Sequence, residues 1–310
     1  MGVMRSVLLA ASENRWLRKQ APRMGFVKKA VKRFMPGERV EDALAAAKSL
    51  AGQRVSTIMT RLGENITDLR EAEEVTQHYL DVLDQLAGTT LDAQISIKPT
   101  QLGLDVDQAQ CLANLRQIAA AAHARGRFVW IDMEQHGYVD ATLDLYRRAL
   151  GESPNLGVAL QSYLYRTPKD VDALVPLGGG IRLVKGAYLE PASVAYPKKA
   201  DVDRVYLELA RGMLTPRARQ AGLQAVFGTH DLTLIGAIQQ HAAQADVPKE
   251  AYEFAMLYGI QRGEQARLAA EQHRVRVLIS YGEYWFPWYM RRLAERPANV
   301  IFVAKSMFSN

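Results

Sequence analysis

Two adjacent arginines, Arg291 and Arg292, sit in the most chemically loaded stretch of the chain, YGEYWFPWYMRRLAERPAN at 281–299. The stretch follows an apolar, β-like run at 275–280 and closes at Pro297, which cannot continue a helix. The residues between read as a short, aromatic-rich helix. At about 100° per residue the two arginines diverge, while Trp288 and Glu295 project between them, one turn before and one turn after. One face then carries two guanidinium forks, an aromatic plate and a carboxylate. That set suits holding a small carboxylate against something flat. The competing reading is a surface Arg–Glu pair at i,i+4 beside core aromatics.

Positioning such a helix requires a frame, and the rest of the chain supplies a regular one. Short runs rich in β-branched and apolar residues, each followed by a helical pattern, fall at 55–60, 93–98, 128–132, 157–162, 181–185, 225–229, 253–257 and 275–280. Helices are expected near 67–87, 107–124, 138–150, 168–176, 200–221, 231–245, 262–272 and 285–295. Eight βα units in a row point to a (βα)8 barrel, a distorted TIM-like fold of residues 51–310 with a helical extension at 1–50. A doubly wound sheet would usually show a Gly-rich first turn, and no G-x-G-x-x-G occurs.

Barrel enzymes place their chemistry at the C-terminal ends of the strands. Those ends are unusually polar here: Lys98, Asp132 with Glu134, Gln161, Arg182 with Lys185, and Thr229, His230 and Asp231. Each alone has a structural explanation, such as a satisfied core amide or a rim lysine with its stem buried. Their convergence on one mouth favours a site. No nucleophile stands beside an evident base. Asp132, Glu134 and His136 alternate and could share one face of an extended segment, which keeps a metal-dependent hydrolase as the alternative function. Lys98 and Lys185 are Schiff-base candidates without an obvious activating partner.

Composition sets the outer bounds. The 310 residues are 48% hydrophobic and 23% charged, ordinary for a globular protein with ample core. No run of 18 apolar residues is present and the N-terminus lacks signal-peptide order. Cys111, the single cysteine, reads as a buried small hydrophobe in a reducing cytoplasm. Residues 1–40 hold ten Lys/Arg and two acids, net +8, so the remainder carries −2 of the overall +6. The basic segment is either a solvated helix face or a patch for an anionic membrane, and no nucleic-acid motif accompanies it.

Six segments carry a family resemblance across roughly residues 50–305. They are ISIKP at 95–99, IDMEQ at 131–135, IRLVKGAY at 181–188, FGTHD at 227–231, YEFAMLYG at 252–259 and RRLAERPAN at 291–299. In combination they resemble the monofunctional bacterial proline dehydrogenases. The resemblance implies a distorted (βα)8 barrel that binds FAD and oxidises L-proline to Δ1-pyrroline-5-carboxylate, with hydride passing to flavin N5 and electrons to a membrane quinone. No Cys or His attachment motif is evident, so noncovalent FAD is expected.

The resemblance also implies roles. Arg291, Arg292 and Lys98 would hold the substrate carboxylate, with Asp132 pairing to Lys98 or to the substrate region. Tyr188 and Leu257 would pack on the pyrrolidine ring, and Trp288 would join them in binding the substrate beside the clamp. Arg182 would approach the reactive edge of the flavin and stabilise its developing negative charge. Gln161 would hydrogen-bond the isoalloxazine, and Met133, Lys185, Gly186, Ala187, Thr229 and His230 would line the cofactor. The small residues at 186 and 187 would let the backbone approach it closely. Glu64 resembles an acidic gate that pairs with Arg291 over bound substrate. Two departures stand out. Leu278 and Trp288 occupy positions where many members carry tyrosine. The pocket then has fewer hydroxyls than is usual in the family.

Overall fold

The computed structural model describes residues 31–295. Eight parallel strands close a barrel in sequence order: β1 (Ser56–Arg61), β2 (Ala93–Ile97), β3 (Val129–Ile131), β4 (Leu156–Gln161), β5 (Gly180–Val184), β6 (Gln224–Gly228), β7 (Tyr252–Leu257) and β8 (Arg274–Tyr281). β8 pairs with β1 from Ser56–Arg276 to Arg61–Tyr281 and closes the ring. The strands lie within one residue of the bounds expected from sequence. The expected (βα)8 barrel is the observed fold.

Helices cover the outside: α1 (Val40–Ala51), α2 (Leu69–Ala87), α3 (Gln108–Ala124), α4 (Val139–Leu150), α5 (Thr167–Leu174), α6 (Lys199–Met213), α7 (Pro216–Gln220), α8 (Leu232–Gln244), α9 (Arg262–Ala270) and α10 (Trp285–Glu295). Aspartates start three of them. Asp68, Asp107 and Asp231 each accept a backbone N–H from the first turn of α2, α3 and α8. The helix expected at 200–221 is two helices. Pro216 has no N–H for the i→i−4 ladder, so α6 ends first, and Thr215 caps α7 with Pro216 in its first turn.

Side-chain alternation sorts the strands into an outer and an inner face. Outward residues such as Val129, Ile131, Val158 and Phe227 join the main core beneath the helices. Inward, Ile58, Trp130, Val226 and Ala255 form a separate cluster, with Phe128 and Leu278 against it. Two glycines make room for the indole. A Cβ on Gly157 would sit 2.4 Å from the Trp130 ring, and one on Gly180 would sit 2.8 Å from it. The indole N–H donates to Gln94 Oε1 at 2.6 Å. Below this plug, at the N-terminal end of the strands, the fully buried Arg276 pairs with Glu253 at 2.6 Å and with Asp92 at 3.0 Å.

Residues before β1 and after β8 complete the fold. α1 packs against β8 and β1 and buries Ala43, Ala46 and Ala47 in the main core. α10 does not join that core. Trp285, Phe286, Trp288, Tyr289 and Leu293 cluster instead with Val31, Phe34, Met35, Leu62 and Ile260, and Leu257 of β7 packs against them. The helix that carries Arg291 and Arg292 is thereby tied to the strand ends of β1 and β7.

Candidate active site

Strand parity brings the polar strand ends together. Ser96 pairs with Trp130, Trp130 with Gly157, and Gly157 with Gly180. Lys98, Asp132, Gln161 and Arg182 are an even number of residues along their strands from these positions. All four therefore point inward above Trp130, with Gln161 one step further along than Lys98, Asp132 and Arg182.

Asp132 is the centre of this layer. Its carboxylate accepts from Lys98 Nζ at 3.0 Å, from Ser96 Oγ at 2.7 Å and from an Arg182 Nη2–H. Arg182 also donates to Ser96 Oγ at 3.1 Å and lies 5.2 Å from the centroid of the Trp130 ring. Burial alone would raise the Asp132 pKa, but Lys98 and Arg182 overrule it and hold the carboxyl at about 2. Burial would likewise lower Lys98, yet Asp132, Glu64 and Glu134 push it upward. That direction favours the ammonium over the free amine that a Schiff base needs. Arg182 Nη1 and Gln161 Oε1 are buried with no protein partner, one a donor and the other an acceptor. Gln161 Nε2 is engaged, donating to the Glu134 carbonyl at 3.1 Å.

The proposed metal face does not form. Asp132 turns to its cations, and Glu134 accepts from Thr100 N–H at 3.1 Å and Thr100 Oγ at 2.6 Å. His136 binds Glu190 on the exposed rim. Among the described residues no group of three His, Cys, Asp or Glu is placed to hold a metal ion. Cys111, fully buried, has its thiol pushed up to about 12 by burial, which disfavours the reactive thiolate.

The β5 and β6 ends form a second cluster. Lys185 bridges Asp203 at 2.5 Å and Asp231 at 2.8 Å, and Lys199 contacts the same two acids. Burial would raise Asp231, but the two lysines hold it well below the usual carboxylate range. Thr229 Oγ1 accepts the Asp231 N–H at 3.1 Å, and His230 Nε2 accepts the Leu257 N–H at 2.9 Å. Gly186, Ala187 and Tyr188 are half-buried beside this cluster. Gly186 has φ +115°, and a Cβ there would meet the Tyr163 ring at 2.4 Å. Its need for glycine therefore arises inside the chain, before any ligand is considered.

Comparison with known proteins decides the family. The family model described as proline dehydrogenase matches residues 43–305. The chain belongs to the proline dehydrogenase family. That membership makes it an oxidoreductase of proline catabolism. Proline dehydrogenase 1 of Bacillus subtilis subsp. natto is 36% identical over 98% of this chain and 99% of its own length. Proline dehydrogenase of Deinococcus radiodurans is 39% identical over 89% of each chain. Proline utilization A from Bdellovibrio bacteriovorus, a solved structure, superposes with a TM-score of 0.80. At 24% identity that likeness speaks for the fold, and it covers 87% of this chain but 33% of the larger protein.

For a proline dehydrogenase site, the structure joins Lys98, Asp132 and Arg182 directly and brings Gln161 and Met133 alongside through Gln161 Nε2, which lies 3.4 Å from the Met133 carbonyl. Leu257 and Trp288 meet through the α10 cluster. Glu64 follows β1, close enough for its charge to act on Lys98 and Glu134. The side chains of Arg291, Arg292 and Glu295 lie outside the described residues, as do residues 1–30. Sequence reasoning missed Ser96 and Trp130. Both stand two residues before an identified strand end, so inward parity was the available signal. Asp203 was also missed; its only trace in sequence is the i,i+4 spacing to Lys199.

Proposed function

We propose that this chain oxidises L-proline to Δ1-pyrroline-5-carboxylate with noncovalent FAD bound at the barrel mouth and passes the electrons to a membrane quinone. The observation that carries the reading is the Lys98–Asp132–Arg182 layer, with two buried unpartnered atoms beside it. Those atoms fit a flavin. Its isoalloxazine edge offers both an acceptor for Arg182 Nη1 and an N–H for Gln161 Oε1. Gly186, Ala187, Thr229, His230, Lys185 and Met133 would line the remainder of the cofactor. When bound, FAD supplies the two-electron acceptor for oxidation of the ring C–N bond.

The residues of the chain do the rest. Lys98, with Arg291 and Arg292, binds the substrate carboxylate, and Tyr188 and Leu257 shape the wall for the ring. Asp132 fixes Lys98 and Arg182, so both cations are oriented before substrate arrives. Trp288 supports the clamp helix, and Glu64 closes over the pocket by pairing with Arg291. The basic residues of 1–40 dock the protein on an anionic membrane surface, at about 1 kcal/mol per Lys or Arg near it. Sedimentation with anionic vesicles at low salt tests the docking: equal recovery with neutral vesicles would reject it.

Kinetics test the carboxylate clamp. Lys98→Met should raise KM for L-proline with a smaller effect on kcat, and lower kcat/KM by roughly 10- to 150-fold, the value of a charged hydrogen bond of about 1.5–3 kcal/mol. Arg291→Lys should act in the same direction. Pyrrolidine, which has no carboxylate, should be a poor substrate that loses little further in either variant. Unchanged KM for L-proline in both variants would remove the clamp from the account.

A further inference from the structure

Glu134 is 2% exposed and belongs to no step described so far, yet three parts of the site hang on it. Its carboxylate receives both the N–H and the hydroxyl of Thr100, in the turn Pro99–Leu102 that directly follows Lys98. The same Thr100 hydroxyl oxygen accepts the Asn65 N–H at 3.1 Å, which ties down the segment carrying Glu64. The Glu134 main-chain carbonyl holds the Gln161 amide at 3.1 Å. Lys98, Glu64 and Gln161 come from three different strand ends.

We propose that Glu134 is a positioning residue: through Thr100 it sets the Lys98 turn and the Glu64 segment, and through its carbonyl it aims the unpartnered oxygen of Gln161. This rests on the reading that Lys98 meets the substrate carboxylate.

The chemistry of the contact gives it a pH dependence. An ionised carboxylate accepts from both Thr100 donors, whereas a protonated one keeps a single good acceptor. Burial raises the Glu134 pKa to about 7, against the lowering effects of Thr100 and Lys98. The charged groups facing it are Lys98 from the β2 end and Glu64 from the segment after β1. Tyr138, before α4, and Cys111 of α3 are the other titratable groups that feel its charge. The positioning role and simple charge predict opposite signs. As a charge alone, ionised Glu134 repels an anionic ligand and weakens its binding above pH 7. As a positioner it locks the Lys98 turn and tightens binding above pH 7.

The test uses the flavin-loaded protein and cyclopentanecarboxylate, which keeps the carboxylate and ring but has no amine to oxidise. Its Kd is measured by calorimetry about one pH unit either side of 7. Wild type should bind more tightly on the alkaline side. Glu134→Gln leaves one acceptor where the Thr100 N–H and hydroxyl both donate and forces the hydroxyl to turn and accept from the amide, so Kd should rise about tenfold and the pH step should vanish. Thr100→Val should raise Kd similarly, and Thr100→Ser, which keeps the hydroxyl, should restore wild-type binding. KM for L-proline should follow Kd, while kcat moves by less than about threefold. If Glu134→Gln fails to fold, the Thr100 variants and the wild-type pH profile decide. Weaker wild-type binding above pH 7, a flat profile, or unchanged Kd in Thr100→Val overturns the proposal while leaving proline oxidation standing. A wild type that binds neither ligand would overturn both.

Discussion

Asp132 and Glu134 are two carboxyls two residues apart whose environments drive them in opposite directions. Asp132 falls from 3.8 to about 2, because Lys98 and Arg182 outweigh its burial. A depressed carboxyl contributes stability above its unfolded pKa and loses it as pH falls through the folded one. Asp132 therefore stabilises by on the order of 2 kcal/mol at neutral pH, lost between about pH 4 and 2. Glu134 rises from 4.5 to about 7 by burial. Its contribution is fully present below 4.5 and is lost as pH climbs through 7. His78, lowered to about 4 by burial, changes in the opposite sense over part of that range. The readable quantity is thus the difference between wild type and Glu134→Gln. In urea unfolding across pH 4.5 to 7, wild type should lose stability relative to the variant. Parallel curves would mean that Glu134 titrates normally.

The strands are what place these groups, and both barrel ends obey the same alternation. At the N-terminal end, Arg276 and Glu253 are each 1% exposed and pair with each other. Glu253→Ala would leave a buried guanidinium short of its main partner, at a cost of about 3–5 kcal/mol. Because the pair lies below the Trp130 plug, KM for L-proline should stay at its wild-type value while the melting temperature drops. An unchanged melting temperature would show that Asp92 alone satisfies Arg276. The strands were legible because apolar, β-branched runs of four to eight residues between turns carry a strong local signal. Lys98, Asp132, Gln161 and Arg182 were legible as polar residues ending such runs. The link from Glu134 to Thr100 was not. It joins residues 34 apart through a short turn, and spacing along a chain does not reveal which strand ends meet. The break at Thr215 was visible in principle, since Pro216 follows it, but the amphipathic pattern continued across both helices.

Across the whole molecule, charge and chemistry occupy different regions. The basic excess lies in residues 1–40, while residues 41–310 carry a net charge of −2, and among the described residues Lys98, Arg182 and Lys185 at the mouth are matched to acids. Among the described residues no helix is long and apolar enough to cross a membrane. The fold follows from sequence periodicity, and family membership follows from the matched length of the chain. The flavin reading is carried by the family resemblance and by two buried atoms, Arg182 Nη1 and Gln161 Oε1, that lack protein partners. Flavin chemistry is accordingly the claim to test first. The visible absorption spectrum of the freshly purified protein should show flavin bands, with the flavin released into solution when acid precipitates the protein. Anaerobic addition of L-proline should bleach those bands. Colourless protein, or bands that L-proline leaves unchanged, would contradict the account.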